Sequence, residues 1–146
     1  MKLVTGTTGV CEWAFIHGTL DDVTMEQFVA HLRRMSERIE PGRVVLDITH
    51  DVGMPTAVQR RRIVEALQSS PKLDLVAGHA LVINSTLGRG LLTAINWIVR
   101  PPFEERVCAT PTEALDWLAT RNAAVDPSSV LTSLERAVPG FSALSW

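Results

Sequence analysis

The chain has 146 residues, of which 46% are hydrophobic and 21% are charged, a balance typical of one globular domain with its own core. The formal net charge of −2 argues against nucleic acid as the main partner, because phosphate binding needs a basic surface. No segment approaches the roughly 18 consecutive apolar residues of a membrane-spanning helix, so we expect no membrane span.

The amino-terminal segment and the cysteines indicate where the protein is located. Met1 to Gly6 contain neither an apolar run nor a small-residue cleavage site, so no signal peptide is predicted. Cys11 and Cys108 lie far apart in apolar stretches, which fits neither a disulfide framework nor a zinc motif. We therefore expect a cytoplasmic protein with two buried, reduced thiols.

Two strands are predicted at the start of the chain. Residues 10–16 are mostly apolar and have turn residues on both sides, which predicts a strand that ends near His17. A shorter strand is expected at residues 3–4. Residues 5–9, Thr-Gly-Thr-Thr-Gly, are predicted to form the turn between the two strands.

The first helix is predicted to begin at Thr24. Gln27 follows at the spacing of a capping box, and apolar residues recur at steps of three and four up to Ile39. Pro41 and Gly42 should end the helix. The apolar stripe indicates that one helix face packs on the rest of the domain.

A buried strand, a second helix and another strand follow. Residues 44–48, Val-Val-Leu-Asp-Ile, form a run typical of a central parallel strand. Pro55 is expected in the first turn of the second helix, which should end before Pro71. Residues 75–83 are predicted to form the next buried strand.

The remaining elements continue the alternation of strands and helices. Residues 84–86, Asn-Ser-Thr, provide an N-cap for a third helix that runs to Ile98 and is apolar on nearly all sides. Residues 104–109 predict a final short strand, and Thr110 or Thr112 caps the helix after it. This alternation predicts crossover connections and a largely parallel sheet.

The predicted fold is α/β, with a mixed, largely parallel sheet of four to five strands and helices packed against it. The composition changes at Asp126, where a short helix is followed by Pro139, Gly140 and an apolar tail. We therefore divide the chain into an α/β domain at residues 1–125 and a C-terminal helical arm at residues 126–146.

Three parts of the sequence resemble the STAS fold of anti-sigma-factor antagonists, in particular the SpoIIAA-like group. They are the strand with its aspartate at residues 44–48, the helix start Leu-Gly-Arg-Gly and its continuation at residues 87–97, and the last strand and helix at residues 102–107 and 113–118. The similarity spans roughly residues 10–122. It implies a bacterial, non-catalytic regulatory or protein-interaction module.

One loop departs from the pattern of that family. Antagonist-type STAS domains carry a phosphorylation loop similar to Asp-Ser-Ser-Gly after the central strand. Residues 49–56 of this chain contain no serine, and the nearest hydroxyls are those of Thr49 and Thr56. These two threonines are the candidate regulatory residues, and Thr56 is also a good N-cap for the second helix.

Charged side chains near the central strand are of the types that form metal sites or acid/base pairs, namely Asp47, His50 and Asp51. Their spacing matches no metal motif. We therefore expect Asp47 to accept backbone hydrogen bonds and the other two residues to be solvated. The four histidines are too dispersed to predict a cluster, and His79 is expected to be a satisfied core or edge residue. We predict no metal, no cofactor and no catalytic residue.

The turn after the strand at residues 75–83 is a candidate anion site. Ser85, Thr86 and Arg89 stand where a strand gives way to a helix, and free backbone N–H groups at such a point attract anions. The segment lacks the Lys-Ser/Thr pair of a P-loop. Alternatively, Gly88 and Gly90 only allow the helix to approach the sheet.

The C-terminal tail carries three large apolar side chains within six residues, Phe141, Leu144 and Trp146. An apolar cluster of this kind is usually buried against another protein surface. Two interpretations stand. The tail folds back onto its own domain, or it docks on a partner protein or a second copy in a homodimer, where aromatic anchors contribute most of the binding energy.

These features favour a binding protein over an enzyme, because no serine or cysteine has the setting of a catalytic nucleophile. The leading interpretation is a regulatory or protein-interaction module that self-associates through its C-terminal arm or is stabilised by it. The alternative is a carrier of a small ligand (a lipid, a nucleotide or an anion) that uses Ser85 to Arg89 and the apolar face of the helix at residues 91–98.

Overall fold

Five strands form one sheet in the part of the chain that the computed structural model describes, residues 2–85, 89 and 100–146. The strands are β1 (Lys2–Thr8), β2 (Cys11–His17), β3 (Val44–His50), β4 (Gly78–Ile83) and β5 (Glu105–Cys108). Their order across the sheet follows their order in the chain. β1 pairs antiparallel with β2, and β2 to β5 run parallel to one another. The predicted mixed, largely parallel sheet is confirmed.

Helices and short 3-10 turns connect or follow these strands. The helices within the described ranges are α1 (Asp22–Arg38), α2 (Ala57–Gln68), α3 (Pro111–Arg121) and α4 (Pro127–Ala137). The 3-10 turns are Pro71–Leu75 and Phe141–Ala143. The helix predicted from Asn84 to Ile98 lies almost entirely outside the described residues. None of the four helices has the length and apolar character needed to cross a membrane.

Side-chain caps set the starts of α1 and α2. Asp21 accepts a hydrogen bond from the backbone N–H of Thr24 at 2.7 Å, so the predicted start at Thr24 is wrong. An aspartate is at least as strong an N-cap as a threonine, and Asp21 precedes Thr24 by three residues, so the helix begins earlier than predicted. Thr56 caps α2 and forms a reciprocal capping box with Gln59, which confirms its predicted N-cap role.

Two predicted strand boundaries are also wrong. The turn expected at residues 5–9 is shorter, because β1 continues to Thr8. Gly6 lies within β1 directly opposite Trp13, and a Cβ at position 6 would overlap the Trp13 ring. This glycine therefore allows close packing and not a turn. β4 begins at Gly78, because residues 71–75 form a 3-10 turn first.

The sheet has an apolar core on each face, because successive side chains of a strand point to opposite sides. The core against α3, α4 and the tail includes Trp13, Phe15, Leu46, Leu115, Leu134 and Phe141. The core against α1 and α2 includes Met25, Val29, Leu32, Met35, Val45 and Ala66. The first core extends across the proposed boundary at residue 126, so the arm shares its core with the sheet.

The two cysteines are buried and unpaired, as predicted. Burial raises the pKa of Cys11 to about 12, and the nearby carboxylates of Glu12 and Asp47 add to this effect. Burial also raises the pKa of Cys108 to about 11. Both thiols therefore stay protonated and unreactive at neutral pH.

Candidate functional site

Three charged side chains meet on the face of the sheet that packs against α1 and α2. Asp47 lies on β3, His79 on β4 and Glu105 on β5, and the register places His79 directly opposite Glu105. His79 Nε2 is 2.8 Å from Asp47 Oδ2, and His79 Nδ1 is 2.7 Å from Glu105 Oε2. The side chains of His79, Asp47 and Glu105 are only 12%, 8% and 10% exposed. We call these residues the buried triad.

The two carboxylates keep the imidazole of His79 protonated. Burial by itself would lower the pKa of His79, but hydrogen bonds to Asp47 and Glu105 raise it to about 10. Both ring nitrogens therefore donate a hydrogen bond, one to each carboxylate. Phe103 contacts the same imidazole edge-on, with ring centroids 5.3 Å apart. The triad is thus a fixed polar structure within an apolar layer.

The stability of the protein should fall between pH 7 and pH 8.5 because of His79. A group with a raised pKa in the folded protein contributes stability that is complete below its unfolded pKa, 6.5, and is lost as the pH rises toward 10. The expected slope is about 1.4 kcal/mol per pH unit, or about 2 kcal/mol over this interval. Urea unfolding at a series of pH values measures the slope.

The control for this prediction is the variant His79→Gln, whose amide does not titrate. The free energy of unfolding of this variant should change little over the same interval. The two cysteines add little to the slope, because the interval also lies below the pKa of their thiols. A wild-type profile as flat as that of the variant would contradict a protonated imidazole in the triad.

An apolar cavity of about 210 Å³ lies beside the buried triad, and all three triad residues line it. Most other lining residues are apolar and come from both the sheet and the helices, among them Phe28, Leu32, Val45, Ile63, Leu81 and Ile83. Gly53 and Met54 also line the cavity, and both are exposed. The cavity therefore reaches the protein surface at the loop between β3 and α2.

A second polar cluster lies on the opposite face of the sheet, at the carboxyl ends of β2 and β3. His50 Nδ1 lies 3.2 Å from His17 Nδ1 and 3.3 Å from Asp51 Oδ2. His50 Nε2 lies 2.9 Å from the backbone oxygen of Ser145, and the His50 ring meets that of Trp146 edge-on at 5.0 Å. The C-terminal tail thus covers part of this histidine cluster.

The structure corrects the interpretation of the central strand. The hydrogen-bond donor to Asp47 is the His79 side chain, whereas a backbone donor was expected. His50 is buried and not solvated, and it contacts His17, so the prediction that the histidines do not cluster is wrong. Asp47 and His50 face opposite sides of the sheet, because their positions in β3 differ by an odd number. The two side chains therefore do not converge on one site. His79 is a satisfied core residue, as expected.

The two candidate regulatory threonines both have structural contacts. Thr49 Oγ1 donates a hydrogen bond to the backbone oxygen of Val82 at 2.7 Å. Thr56 is exposed, and its hydroxyl accepts from the backbone N–H of Gln59 at 3.2 Å. Regulation through either hydroxyl stays a prediction.

The candidate anion site is described only in part. Thr86, Gly88 and Gly90 lie outside the described residues, as do residues 91–98 of the predicted apolar helix. Ser85 is exposed, and Arg89 Nη1 donates a hydrogen bond to the backbone oxygen of Ile83 at 3.1 Å. Anion binding at this turn stays a prediction.

The C-terminal tail folds back onto its own domain. Phe141 is 3% exposed, and its ring packs edge-on against Phe15 with centroids 5.4 Å apart. Leu144 and Trp146 are half-buried against the same core. Partner binding through these residues stays a prediction, and Phe141 would have to leave the core to take part in it.

Glu105 is the member of the buried triad that was not predicted from the sequence. The available signal was one charged or titratable residue, Asp47, His79 or Glu105, within each of three apolar strands. A buried charge needs a partner, so such residues on neighbouring strands are candidates for mutual contact. His17 and His50 had a related signal, since both end strands whose carboxyl ends meet at one sheet edge.

Comparison with known proteins identifies the fold. No family model and no curated protein match the sequence. Among solved structures, the chain is similar to an uncharacterized protein of the DUF3478 family with a SpoIIAA-like fold, from Shewanella loihica PV-4. The two share 17% sequence identity, the similarity covers 80% of this chain and 92% of that chain, and the TM-score is 0.56. This protein therefore has a SpoIIAA-like fold, as the resemblance in its sequence predicted.

Proposed function

We propose that this protein is a non-catalytic binding module that takes a small apolar molecule into the cavity beside the buried triad. The observation that carries this proposal is an apolar space of about 210 Å³ with a few fixed polar groups in its wall. Small-molecule sites in proteins have this character, because apolar side chains supply affinity and a few polar groups set the orientation of the ligand.

The size of the cavity limits the class of ligand. An engineered apolar cavity of about 150 Å³ holds benzene, so the present cavity has room for a somewhat larger apolar group. Typical pockets for drug-sized ligands measure about 300–1,000 Å³. The cavity therefore favours a compact ring system or a short acyl segment over a whole lipid.

The buried triad determines which polar group of a ligand can face it. Both N–H groups of His79 are directed at carboxylates, at 2.8 Å from Asp47 and 2.7 Å from Glu105. The triad therefore presents acceptor oxygens to the cavity, since an ionised carboxylate only accepts hydrogen bonds. A hydroxyl or N–H donor on the ligand is the complementary group.

The variant Ile63→Trp should lose binding of 5-fluoroindole, a compact ring with one N–H donor. Ile63 lies on α2 and lines the cavity, so the larger indole side chain fills part of the space. We expect the wild-type protein to bind one 5-fluoroindole saturably and Ile63→Trp to bind it at least tenfold more weakly. The ¹⁹F NMR signal of the probe reports the bound fraction directly.

The matched control is Val58→Trp, which places the same side chain on the same helix. Val58 is 66% exposed and does not line the cavity, so the affinity should equal that of the wild type. Equal affinities in both tryptophan variants, or no saturable binding by the wild type, would refute the proposal. Native mass spectrometry of the purified protein would then show whether a natural ligand is retained.

A regulatory protein-interaction module is the second candidate function. Three large apolar side chains are exposed near the amino-terminal ends of α1 and α2, namely Val23, Met54 and Val58. A hydrogen bond of 2.9 Å from Gln59 to Asp22 joins these two helix ends. Exposed apolar side chains that form a common patch are typical of interaction surfaces. Solution mass measured over a range of protein concentrations tests the self-association that this candidate includes.

A further inference from the structure

The geometry points to a site for a divalent transition-metal ion, best matched by zinc, formed by His17, His50 and Asp51. The three residues come from the carboxyl ends of β2 and β3 and from the turn after β3. One ligand atom of each lies within 4.8 Å of the others. The site lies on the face of the sheet opposite to the cavity, so it is independent of the proposed function.

Two distances between ligand atoms, both measured from His50 Nδ1, match those around a tetrahedral ion. Zinc lies about 2.0–2.1 Å from histidine nitrogen and carboxylate oxygen, which places two ligand atoms of a tetrahedron about 3.3–3.4 Å apart. His50 Nδ1 is 3.2 Å from His17 Nδ1 and 3.3 Å from Asp51 Oδ2. His17 and Asp51 are therefore both at coordination spacing from His50, and their own ligand atoms lie within 4.8 Å of each other.

The tail holds His50 in the tautomer that a metal ion requires. His50 Nε2 lies 2.9 Å from the backbone oxygen of Ser145. A carbonyl oxygen only accepts, so Nε2 carries a hydrogen and Nδ1 is the ring nitrogen that faces the site and can bind an ion. A backbone carbonyl in this role is a usual outer partner of a metal-binding histidine. The edge-on contact with Trp146 further restrains the ring.

His17 can become a metal ligand when one hydrogen moves between its two ring nitrogens. Its Nδ1 lies 3.1 Å from the backbone oxygen of His50 and 3.2 Å from His50 Nδ1, so a hydrogen there bonds to these atoms when no metal is bound. His17 is exposed. On metal binding the hydrogen moves to its Nε2, and Nδ1 becomes a ligand.

Asp51 supplies the third ligand from an unusual backbone conformation. Its φ is 53°, in the left-handed region that few residues other than glycine adopt. This conformation accompanies the placement of its carboxylate beside His50 Nδ1. Three protein ligands leave the fourth tetrahedral position for water, as in zinc sites that keep an open position.

The test is titration of the untagged full chain with Zn²⁺ by calorimetry and with Co²⁺ by visible absorption. We expect one ion per chain and, with Co²⁺, the intense visible bands of a four-coordinate complex. His17→Gln and Asp51→Asn should each weaken binding at least tenfold. Both side chains are exposed, so these variants should retain the fold, which circular dichroism verifies.

Asp74→Asn is the matched control for the loss of one carboxylate. Asp74 is an exposed residue of the 3-10 turn before β4, at the opposite end of the sheet, so its replacement should leave the affinity unchanged. The proposal is overturned if the wild type binds no stoichiometric ion, or if His17→Gln and Asp51→Asn bind Zn²⁺ as tightly as the wild type does.

Discussion

Replacing His79 with leucine should lower the free energy of unfolding by about 3–5 kcal/mol at pH 7, the usual cost of removing one partner from a buried ion pair. The substitution leaves the carboxylates of Asp47 and Glu105, 8% and 10% exposed, without the cation between them. Leucine adds apolar contact, but it cannot replace the hydrogen bonds at 2.8 Å and 2.7 Å. Urea unfolding monitored by circular dichroism measures the loss.

A second substitution separates loss of charge balance from loss of packing. The double variant His79→Leu with Asp47→Asn has one buried carboxylate fewer, so it should be more stable than His79→Leu alone. A loss below about 1 kcal/mol, against the 3–5 expected for a buried pair, would mean that the triad is not an ion pair.

Replacing Phe141 with alanine should cost about 3–5 kcal/mol, as for other phenylalanines truncated in a core. Phe141 is 3% exposed and contacts the rings of Phe15 and Trp146 at centroid distances of 5.4 Å and 5.5 Å. The same substitution should weaken the contact between Ser145 and His50, because Phe141 anchors the tail. Thermal and urea unfolding of the full chain test the expected loss.

Glu37→Ala is the control for the truncation of Phe141, because Glu37 is exposed on α1 and its replacement should cost less than about 0.5 kcal/mol. Sedimentation of both variants beside the wild type adds a second observable. If the tail packs only within its own chain, Phe141→Ala lowers stability without changing the mass. If the mass also falls, the tail bridges two chains, which would contradict the fold-back arrangement.

Most elements could be predicted because their signals are local. The run at residues 44–48 is apolar and β-branched, and β3 covers it. The boundary of β1 was predicted wrongly because glycine has more than one structural use. The threonine and glycine residues at positions 5–9 indicate a turn, but Gly6 lies within β1, where the ring of Trp13 on the neighbouring strand leaves no room for a side chain.

The candidate sites could be predicted only in fragments. Asp47 and His50 stood out as polar residues near a central strand, yet the register and the alternation of β3 separate them onto opposite faces. His79 was expected to be satisfied, but its partners lie 32 and 26 positions away in the chain. The hydrophobic pattern of one strand does not indicate which residue of the neighbouring strand will lie beside it.

The sequence by itself determined the α/β class and the largely parallel sheet, because these depend on hydrophobic periodicity and on the order of elements. The resemblance to SpoIIAA-like folds came from that order and from three particular segments, at residues 44–48, 87–97 and 102–118. Only the tertiary structure decided that His79 lies between Asp47 and Glu105, that His17 meets His50, and that the tail covers His50. Parallel strands are joined by long crossovers, so their register is set by the packing of helices on the sheet and not by a local turn. That packing also created the cavity on which the proposed function depends.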